Sequence, residues 1–508
     1  MRWGCSLPLR GVVCAALLAS AAGASAQQRA WLVPSLSAQI NWSDNVGLEP
    51  KTEADDDVVT ELSASLALRL ASRRYSLTGE FGATAVNYLQ ETQRDRVLPR
   101  VRLAGSVQPI ERLLYIDAGV ATAELVENPF AATAEGASTV NRFTTTTYSV
   151  SPYLDWRLSP RTQLLVRSAH SRTETRGSEQ PLQDGSFARQ SLRFNVLPQP
   201  LGLTLEAERS ESRTRGEVLD TLDQTLARLV LSYAPADVLT LNLRAGFEDN
   251  EFSGVAVDRE SIYGAGFEWR PTERTSVRAL GEHRFFGTGG EAAFTHRMPW
   301  LAWNLRVSRE LSTSQEALLA VTGTGNLADL LDAILTTRYP DAQERARVVQ
   351  DLIRRQGLPS TVAAPFTIYS QQAFVTTGRE LTVGFLGINN TLSFSAAFSR
   401  VVGALPTIIV LTGSTLTESE QLSAGVSYSR RLSPFSALNL TWGRSYIRSL
   451  SETVAEETRR RTFRVGLTRR LSPLSELAVG ARRQETRARD LEEIIDNGVF
   501  VGLSKRFN

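Results

Sequence analysis

In Leu62-Ser63-Ala64-Ser65-Leu66-Ala67-Leu68-Arg69-Leu70 every even-numbered residue is apolar, while serines and an arginine share the other face. A strand sends successive side chains to opposite sides, so this segment has one apolar and one largely polar face. Leu239-Thr240-Leu241-Asn242-Leu243-Arg244-Ala245-Gly246-Phe247 repeats the pattern, as do Leu201 to Ala207 and Phe463 to Thr468. Soluble β-sandwiches alternate in the same way, and three further features separate these segments from them.

Short proline turns punctuate the runs at Leu158-Ser159-Pro160, Tyr233-Ala234-Pro235, Arg270-Pro271-Thr272, Leu432-Ser433-Pro434 and Leu471-Ser472-Pro473. Proline fixes φ and donates no ladder hydrogen bond, so it belongs at a turn and not inside a central strand. Trp156, Tyr233, Trp269 and Arg470 close the runs before such turns, residue types that suit a membrane–water interface. The alternate connections are longer and polar: Ser171 to Arg189, Ser210 to Gln224, Asp249 to Glu260 and Ser449 to Arg461. Short turns on one side and long loops on the other are the habit of outer-membrane barrels. The turns also recur: Pro160, Pro198, Pro235 and Pro271 are spaced by 38, 37 and 36 residues, and Pro434 to Pro473 by 39. Two strands of about ten residues each, one turn and one loop fill that period. The expected fold is all-β, a transmembrane antiparallel up-and-down β-barrel of about 22 strands (about 16–24) with a short helical insert.

The chain begins with Arg2 and Arg10, an apolar run from Val12 to Ala22, and the small-residue pattern Ala24-Ser25-Ala26. This reads as a signal peptide over residues 1–26 with cleavage near Ala26, and the apolar run is too short to span a bilayer. Cleavage would remove Cys5 and Cys14, the chain's two cysteines, leaving neither a disulfide nor a thiolate metal ligand. The 56 basic residues include Arg2 and Arg10, so 54 remain against 54 acidic ones. That balance argues against a nucleic-acid partner, which needs an excess of positive charge. No run of eighteen apolar residues follows the signal peptide, which excludes a helical membrane protein but not a barrel. No Pro/Gly/Ser-rich linker divides the chain either, so one large body with one insertion is expected.

The insertion interrupts the turn rhythm. One hairpin period beyond Pro271 places a turn near Ser308, where helical spacing takes over. Leu327, Leu330, Leu331, Ile334 and Leu335 follow i, i+3, i+4, i+7 and i+8, with Asn326 as N-cap. A second helix is predicted from Pro340 to Arg355, started by Pro340 and Asp341 and stopped by Gly357 and Pro359. The expected organisation is a first barrel part over 27–309, the insert over 310–366 and a second barrel part over 367–508, with strands resuming at Thr367. Strand parity puts the helical pair on the periplasmic side or in the lumen.

Trp31-Leu32-Val33-Pro34-Ser35-Leu36, Ser43-Asp44-Asn45-Val46-Gly47-Leu48, and the helical piece Asp341-Ala342-Gln343-Glu344-Arg345-Ala346 with Gly357-Leu358-Pro359 carry a family resemblance. The sequence resembles the outer-membrane proteins associated with the PEP-CTERM/exosortase sorting system. The resemblance implies a barrel encoded beside exosortase and exopolysaccharide genes. It brings no site residues.

The three histidines, His170, His283 and His296, have no metal-site spacing, and solvated or interfacial positions are expected for them. Ser168 and His170 share one strand face, about 7 Å apart along it, but no third partner for a hydrolase is evident. Asp44-Asn45 and the run Glu53-Ala54-Asp55-Asp56-Asp57 offer hard oxygen ligands, yet match no defined calcium loop; a solvated acidic loop is the plainer reading. On the polar faces, Arg69, Arg167, Glu206, Arg244, Arg278, Glu282, Arg464 and Arg482 are expected to line the lumen, because a charge facing the bilayer midplane costs a few kcal/mol. They would line a hydrated path or bind a polysaccharide, or else neutralise one another and fill space. On the final strand Val499, Val501, Leu503 and Phe507 share a face that Lys505 interrupts.

No enzyme, cofactor or metal is expected. The leading expectation is an outer-membrane channel or scaffold for exopolysaccharide export or surface assembly. Its partners would be outer-membrane lipid, the barrel assembly machinery, exopolysaccharide and periplasmic export components. The alternative is a non-conducting structural or adhesive barrel whose outer loops bind a surface partner. A TonB-dependent transporter has a similar strand count but needs a large N-terminal plug, and few residues precede the first alternating run.

Overall fold

A computed structural model describes residues 29–133, 140–177, 184–215, 220–252, 255–313, 327–336, 338–356, 373–404, 418–450, 456–489 and 492–507. The signal-peptide reading, Asn326, Gly357, Pro359 and Thr367 lie outside the described residues.

The strands are β1 (Arg29–Ser43), β2 (Asp57–Ala71), β3 (Tyr75–Tyr88), β4 (Arg96–Ile110), β5 (Leu114–Val126), β6 (Arg142–Arg157) and β7 (Thr162–Arg176). Next come β8 (Asp184–Val196), β9 (Leu201–Arg215), β10 (Asp220–Ala236), β11 (Leu239–Phe252), β12 (Val255–Thr272), β13 (Thr275–Arg284), β14 (Gly287–Arg297) and β15 (Leu301–Ser312). Two helices, α1 (Leu327–Leu335) and α2 (Ala342–Gln356), precede β16 (Phe374–Leu386), β17 (Asn390–Gly403), β18 (Ser419–Ser433) and β19 (Ser436–Ser449). The chain ends with β20 (Glu457–Ser472), β21 (Ser475–Ala488) and β22 (Ile494–Arg506).

Each strand pairs antiparallel with its sequence neighbours in a single 22-stranded sheet. β1 also pairs with β22, from Ser35↔Arg506 to Ser43↔Gly498, so the sheet closes on itself. Closure removes both edges, and with them the rows of unpaired backbone groups that lipid cannot satisfy. The fold is a closed up-and-down barrel with two short helices.

The alternation decides which face points where. Leu62, Leu66, Leu241, Leu243, Phe267, Val499 and Val501 are all exposed on the outer surface, and they belong to a belt that runs round the barrel. Trp156, Tyr233, Trp269 and Trp300 rim this belt at the short-turn end, while Tyr148, Tyr263 and Trp42 rim it at the other. An apolar girdle edged by aromatics suits a bilayer and would be a severe liability in water. Both described chain ends lie at the short-turn end, which marks it as periplasmic by the habit of such barrels.

Two expectations need correction. Strands of about ten residues were expected, but all except β13, β14 and β15 run 13 residues or more. Beyond the belt both faces are polar, as in Arg209-Ser210-Glu211-Ser212-Arg213-Thr214 of β9, so hydropathy no longer marks the strand while the ladder continues. The turn expected near Ser308 instead falls at Met298–Trp300, closed by the Met298 N–H to Leu301 carbonyl bond of 2.6 Å. The reason is the β13–β14 hairpin, where only Phe285 and Phe286 separate the paired Arg284 and Gly287. Gly287 supplies the positive φ, +94°, that this tight reversal requires. With no long loop there, the strand count advances early, and the insert leaves β15 from the end that carries the long loops.

From that end the chain returns deep into the barrel. Leu330 of α1 seats over Gly384 of β16, where any Cβ would lie 2.2 Å from Leu330 Cδ2. Leu327, Leu330, Leu331, Ile334 and Leu335 form one buried cluster with Ala302 of β15 and Val349 of α2. Ala302 and Gly384 lie on the inward face near the short-turn end, opposite in direction to the exposed Trp303 and Phe385. Asp341 caps α2, accepting from the Glu344 N–H at 2.7 Å. Arg345 ties the two helices together through Asp332, Nε to Oδ1 2.7 Å, and donates to the Tyr339 carbonyl at 2.9 Å.

Candidate functional site

The inner wall of β8 to β13 carries a connected cluster of charges. Glu282 on β13 accepts two bonds from Arg228 Nη1, at 3.0 and 3.1 Å, although Arg228 sits three strands away on β10. The reach is possible because glycines pave the route. Gly246 on β11 stands beside Arg228 in register, and a Cβ there would lie 2.9 Å from Arg228 Cγ. Gly264 on β12 separates Arg244 from Glu282 in register, and a Cβ there would lie 2.7 Å from Glu282 Cβ. Both glycines let long side chains lie flat across the wall.

The cluster extends from this centre. Arg244 Nη1 lies 3.6 Å and Arg284 Nη1 3.8 Å from the Glu282 carboxylate. Arg228 Nε and Arg193 Nη2 approach Glu206 at 3.5 and 3.4 Å. Glu248, with no exposed surface, accepts from Arg284 Nε at 3.0 Å and from the Phe285 N–H at 2.9 Å. Four arginines thus meet three glutamates. The pairs offset one another's charge and brace the wall, although Arg228 Nε and Arg244 Nε have no hydrogen-bond partner among the described residues, and one positive charge is left over toward the lumen.

The residues expected from sequence to face the lumen lie on the side opposite the belt but do not form one site. Glu206, Arg244 and Glu282 meet in the β8–β13 charge cluster. Arg167 pairs with Asp117 at 3.6 Å and lies 4.2 Å over the ring of Tyr153, which stacks on Tyr115 at 4.9 Å. Arg278 approaches Glu268 at 3.7 Å. Arg482 pairs with Asp496 at 3.1 Å, and Arg464 lies 4.3 Å over the Phe500 ring. Arg69 stands between Trp31 and Thr78 near the short-turn end.

Sequence alone missed Arg228, Arg284 and Glu248. Arg228 interrupts the nearly continuous apolar run Leu226-Ala227-Arg228-Leu229-Val230-Leu231, and Glu248 opens the all-polar run Glu248-Asp249-Asn250-Glu251, so neither shows alternation. Gly246 and Gly264, each opposite a charged residue, are the signal that could have found them.

A cavity of about 1050 Å³ opens between α1 and the periplasmic end of β12 to β16. Arg306, Asn304, Glu380 and Thr382 line one side, and Leu330 and Ala333 of α1 the other. Across the lumen α2 contacts β18 and β19. The inward residues of β18 include Ser419, Gln421, Ser427 and Ser429, and those of the adjoining β17 include Ser393 and Ser395, all buried. Among the described residues the hydroxyls of Ser393, Ser395 and Ser419 and the Gln421 amide nitrogen have no hydrogen-bond partner.

In the first long connection Glu53, Asp55 and Asp56 are exposed to solvent, whereas Asp44 and Asp57 are tied into the barrel by hydrogen bonds. Asp44 accepts from the Asn497 N–H at 2.7 Å and from Asn497 Nδ2 at 2.8 Å, bridging the β1–β22 seam. Asp57 is wholly buried and holds the Gln90 N–H at 3.0 Å and Thr92 Oγ1 at 2.6 Å. No group of three metal-ligating side chains occurs among the described residues. Ser168 Oγ and His170 Nε2 are 2.9 Å apart on the outer surface. His283 stacks on Tyr263 at 5.0 Å and His296 bonds Thr275 at 2.9 Å.

No family model matches the chain, and no curated protein matches it. Solved structures do. The FrpB iron transporter from Neisseria meningitidis (F3-3 variant) superposes with a TM-score of 0.50 at 9% identity, covering 93% of this chain and 81% of that one. The outer membrane channel DcaP of Acinetobacter baumannii gives 0.39 at 9% identity, covering 95% and 99%. The outer membrane protein OpdK from Pseudomonas aeruginosa gives 0.36 at 10%, covering 94% and 99%. The likeness is one of fold alone. At these identities it establishes an outer-membrane-type barrel and carries no ligand across.

Proposed function

We propose that the protein is an outer-membrane channel for hydrophilic solutes whose helical hairpin gates the lumen. One observation carries this reading: α2 lies against β18 and β19 inside the barrel, and the inward wall of β17 and β18 is built of serine and glutamine side chains, several of them buried without partners. Burying an unpaired hydroxyl costs roughly 1–3 kcal/mol, so a wall meant to stay covered would be apolar. Serines suit a surface that meets water or sugar hydroxyls when the hairpin moves aside. The hairpin is held mainly by one apolar cluster around Leu330, Leu331 and Ile334.

The resemblance to PEP-CTERM/exosortase-associated barrels supports exopolysaccharide as the solute and periplasmic export components as partners. A hydroxyl-lined wall and the stacked Tyr115–Tyr153 pair suit a sugar polymer. Outer-membrane residence follows from the lipid-facing belt, and insertion would use the barrel assembly machinery.

Single-channel recording in a planar bilayer tests the reading. The intact chain should open in brief events, and removal of residues 327–357 should give a large, steady conductance. A bilayer that stays closed after that deletion overturns the channel and leaves the non-conducting barrel with adhesive outer loops.

A further inference from the structure

The outer surface toward the long-loop end carries an arrangement that neither the barrel nor conduction requires. On β19 and β20 Trp442 and Phe463 are direct cross-strand partners, both exposed on the outward face. Two residues further toward the long-loop end, about 7 Å along the strands, Arg444 and Arg461 are direct partners on the same outward face. Like charges placed opposite each other on a sheet destabilise it. One outward position beyond Arg444 on the same strand stands Tyr446, opposite the exposed Leu422. Arg483 on β21 pairs with Phe463, and Arg461 is opposite Glu485, so a third arginine flanks the first two.

The only acid in this group is shared. Glu485 holds Arg483, Nε to Oε1 2.8 Å, and reaches Arg461 at 4.0 Å. Arg444 has Ala424 on its other side. Three guanidinium groups therefore face outward with one carboxylate between them. The outward positions at the same end of β1 to β3, Trp42, Thr60 and Asn87, are uncharged, and the outward Arg172 of β7 and Arg213 of β9 each have a glutamate of their own, Glu174 and Glu211.

Height identifies the occupant. Aromatic rings mark the headgroup boundary of a bilayer, and these arginines stand directly above such a pair. A group meeting them must be anionic and must belong to a molecule whose apolar part lies against Trp442, Phe463 and Val465 below. We propose that Arg444, Arg461 and Arg483 bind the phosphate groups of a phosphorylated lipid of the outer leaflet, with its acyl chains against the belt of β19 and β20. Arginine suits this task because its planar fork matches phosphate oxygens in pairs. The occupant relieves the opposition of Arg444 and Arg461, which then become the two jaws of one clamp. The proposal rests on the outer-membrane reading of the belt and is independent of whether the lumen conducts.

The test uses the full chain folded in detergent and mixed with phosphorylated outer-leaflet glycolipid or its enzymatically dephosphorylated form. Native mass spectrometry counts the lipid retained, and heat-modifiable gel mobility reports the folded barrel. The wild type should retain the phosphorylated form at least tenfold better. R444Q/R461Q/R483Q should lose that preference while R172Q/R213Q, altered elsewhere on the outer rim, keeps it. Equal retention of the two lipids by the wild type, or an unchanged preference in the triple variant, overturns the proposal. If the triple variant does not fold, the two-lipid comparison on the wild type decides alone. A wild-type chain that folds but fails to enter vesicles overturns the membrane reading itself, a result distinct from a folded, inserted barrel that ignores phosphate.

Discussion

At the scale of single residues, the facing of each side chain sets what its replacement costs. Leu243 is 63% exposed on the belt, and its neighbour Asn242 points into the lumen. Leu243→Arg should destabilise the barrel by about 2–4 kcal/mol, the cost of a cation facing lipid near the midplane. Asn242→Arg should cost less than about 1 kcal/mol, since its charge meets water. Urea unfolding in phosphatidylcholine vesicles measures both, and equal costs would mean that the faces have been assigned wrongly. Inside, Arg284→Ala strands the Glu248 carboxylate, which has no exposed surface and keeps the Phe285 N–H as a donor. Breaking a buried pair from one side costs about 3–5 kcal/mol. The double replacement of Glu248 by Gln and Arg284 by Met should recover more than half of that in the same unfolding experiment, because no uncompensated charge remains.

At the scale of elements, sequence and structure agree wherever one face meets lipid and diverge where neither does. Leu62 to Leu70 and Leu239 to Phe247 announced β2 and β11, because only a strand can send alternate residues into hydrocarbon and water. Leu327, Leu330, Leu331, Ile334 and Leu335 announced α1, and all five are buried in its core cluster. The outer third of β9 was illegible because both of its faces are polar, with Arg209, Glu211 and Arg213 outward and the buried Ser210, Ser212 and Thr214 inward, so no alternation remains. The β13–β14 hairpin was illegible as well: a turn made by Phe285, Phe286 and Gly287 lacks the polar loop that marks its siblings, and this one omission reversed the side from which the insert departs. Of the charges expected on the lumen face, Arg167, Glu206, Arg244, Arg278, Glu282 and Arg482 stand in ion pairs that the sequence did not single out, since cross-strand distances bring together residues far apart in the chain. The hairpin's seat is specific enough to test. Gly384→Leu places a side chain where Leu330 now packs, with its Cβ already 2.2 Å from Leu330 Cδ2, so α1 must lift. A cysteine introduced at the buried Leu331 reports the movement, since the chain's own cysteines, Cys5 and Cys14, lie outside the barrel strands. Its maleimide labelling should quicken at least tenfold with Gly384→Leu while the barrel stays folded. An unchanged rate would show that α1 does not depend on this notch.

At the scale of the whole molecule, everything depends on the seam, because an open 22-stranded sheet would leave two long edges in lipid and could not enclose a path. The seam is shorter than the other pairings of its two strands: β1 meets β2 over fifteen pairs but β22 over nine. It is reinforced where the ladder ends. Ser43 donates to Asp496 at 2.6 Å, Asp44 grips Asn497, and the Phe507 N–H reaches the Pro34 carbonyl at 2.9 Å. Its register follows from the alternation, since a slip of one residue would turn Leu503 and Val501 into the lumen. Directly opposed residues hold their Cβ atoms about 4.5–5.5 Å apart, within reach of a disulfide after slight adjustment, whereas partners offset by two residues lie about 7–8 Å apart. Ala38→Cys with Leu503→Cys, opposed in the seam, should therefore cross-link under mild oxidant and resist urea unfolding. Ala38→Cys with Val501→Cys, offset by two, should remain reduced under the same conditions. Cross-linking of the offset pair instead would relocate the register, and with it the inward or outward facing of residues on either side of the seam; cross-linking of neither would leave the barrel open.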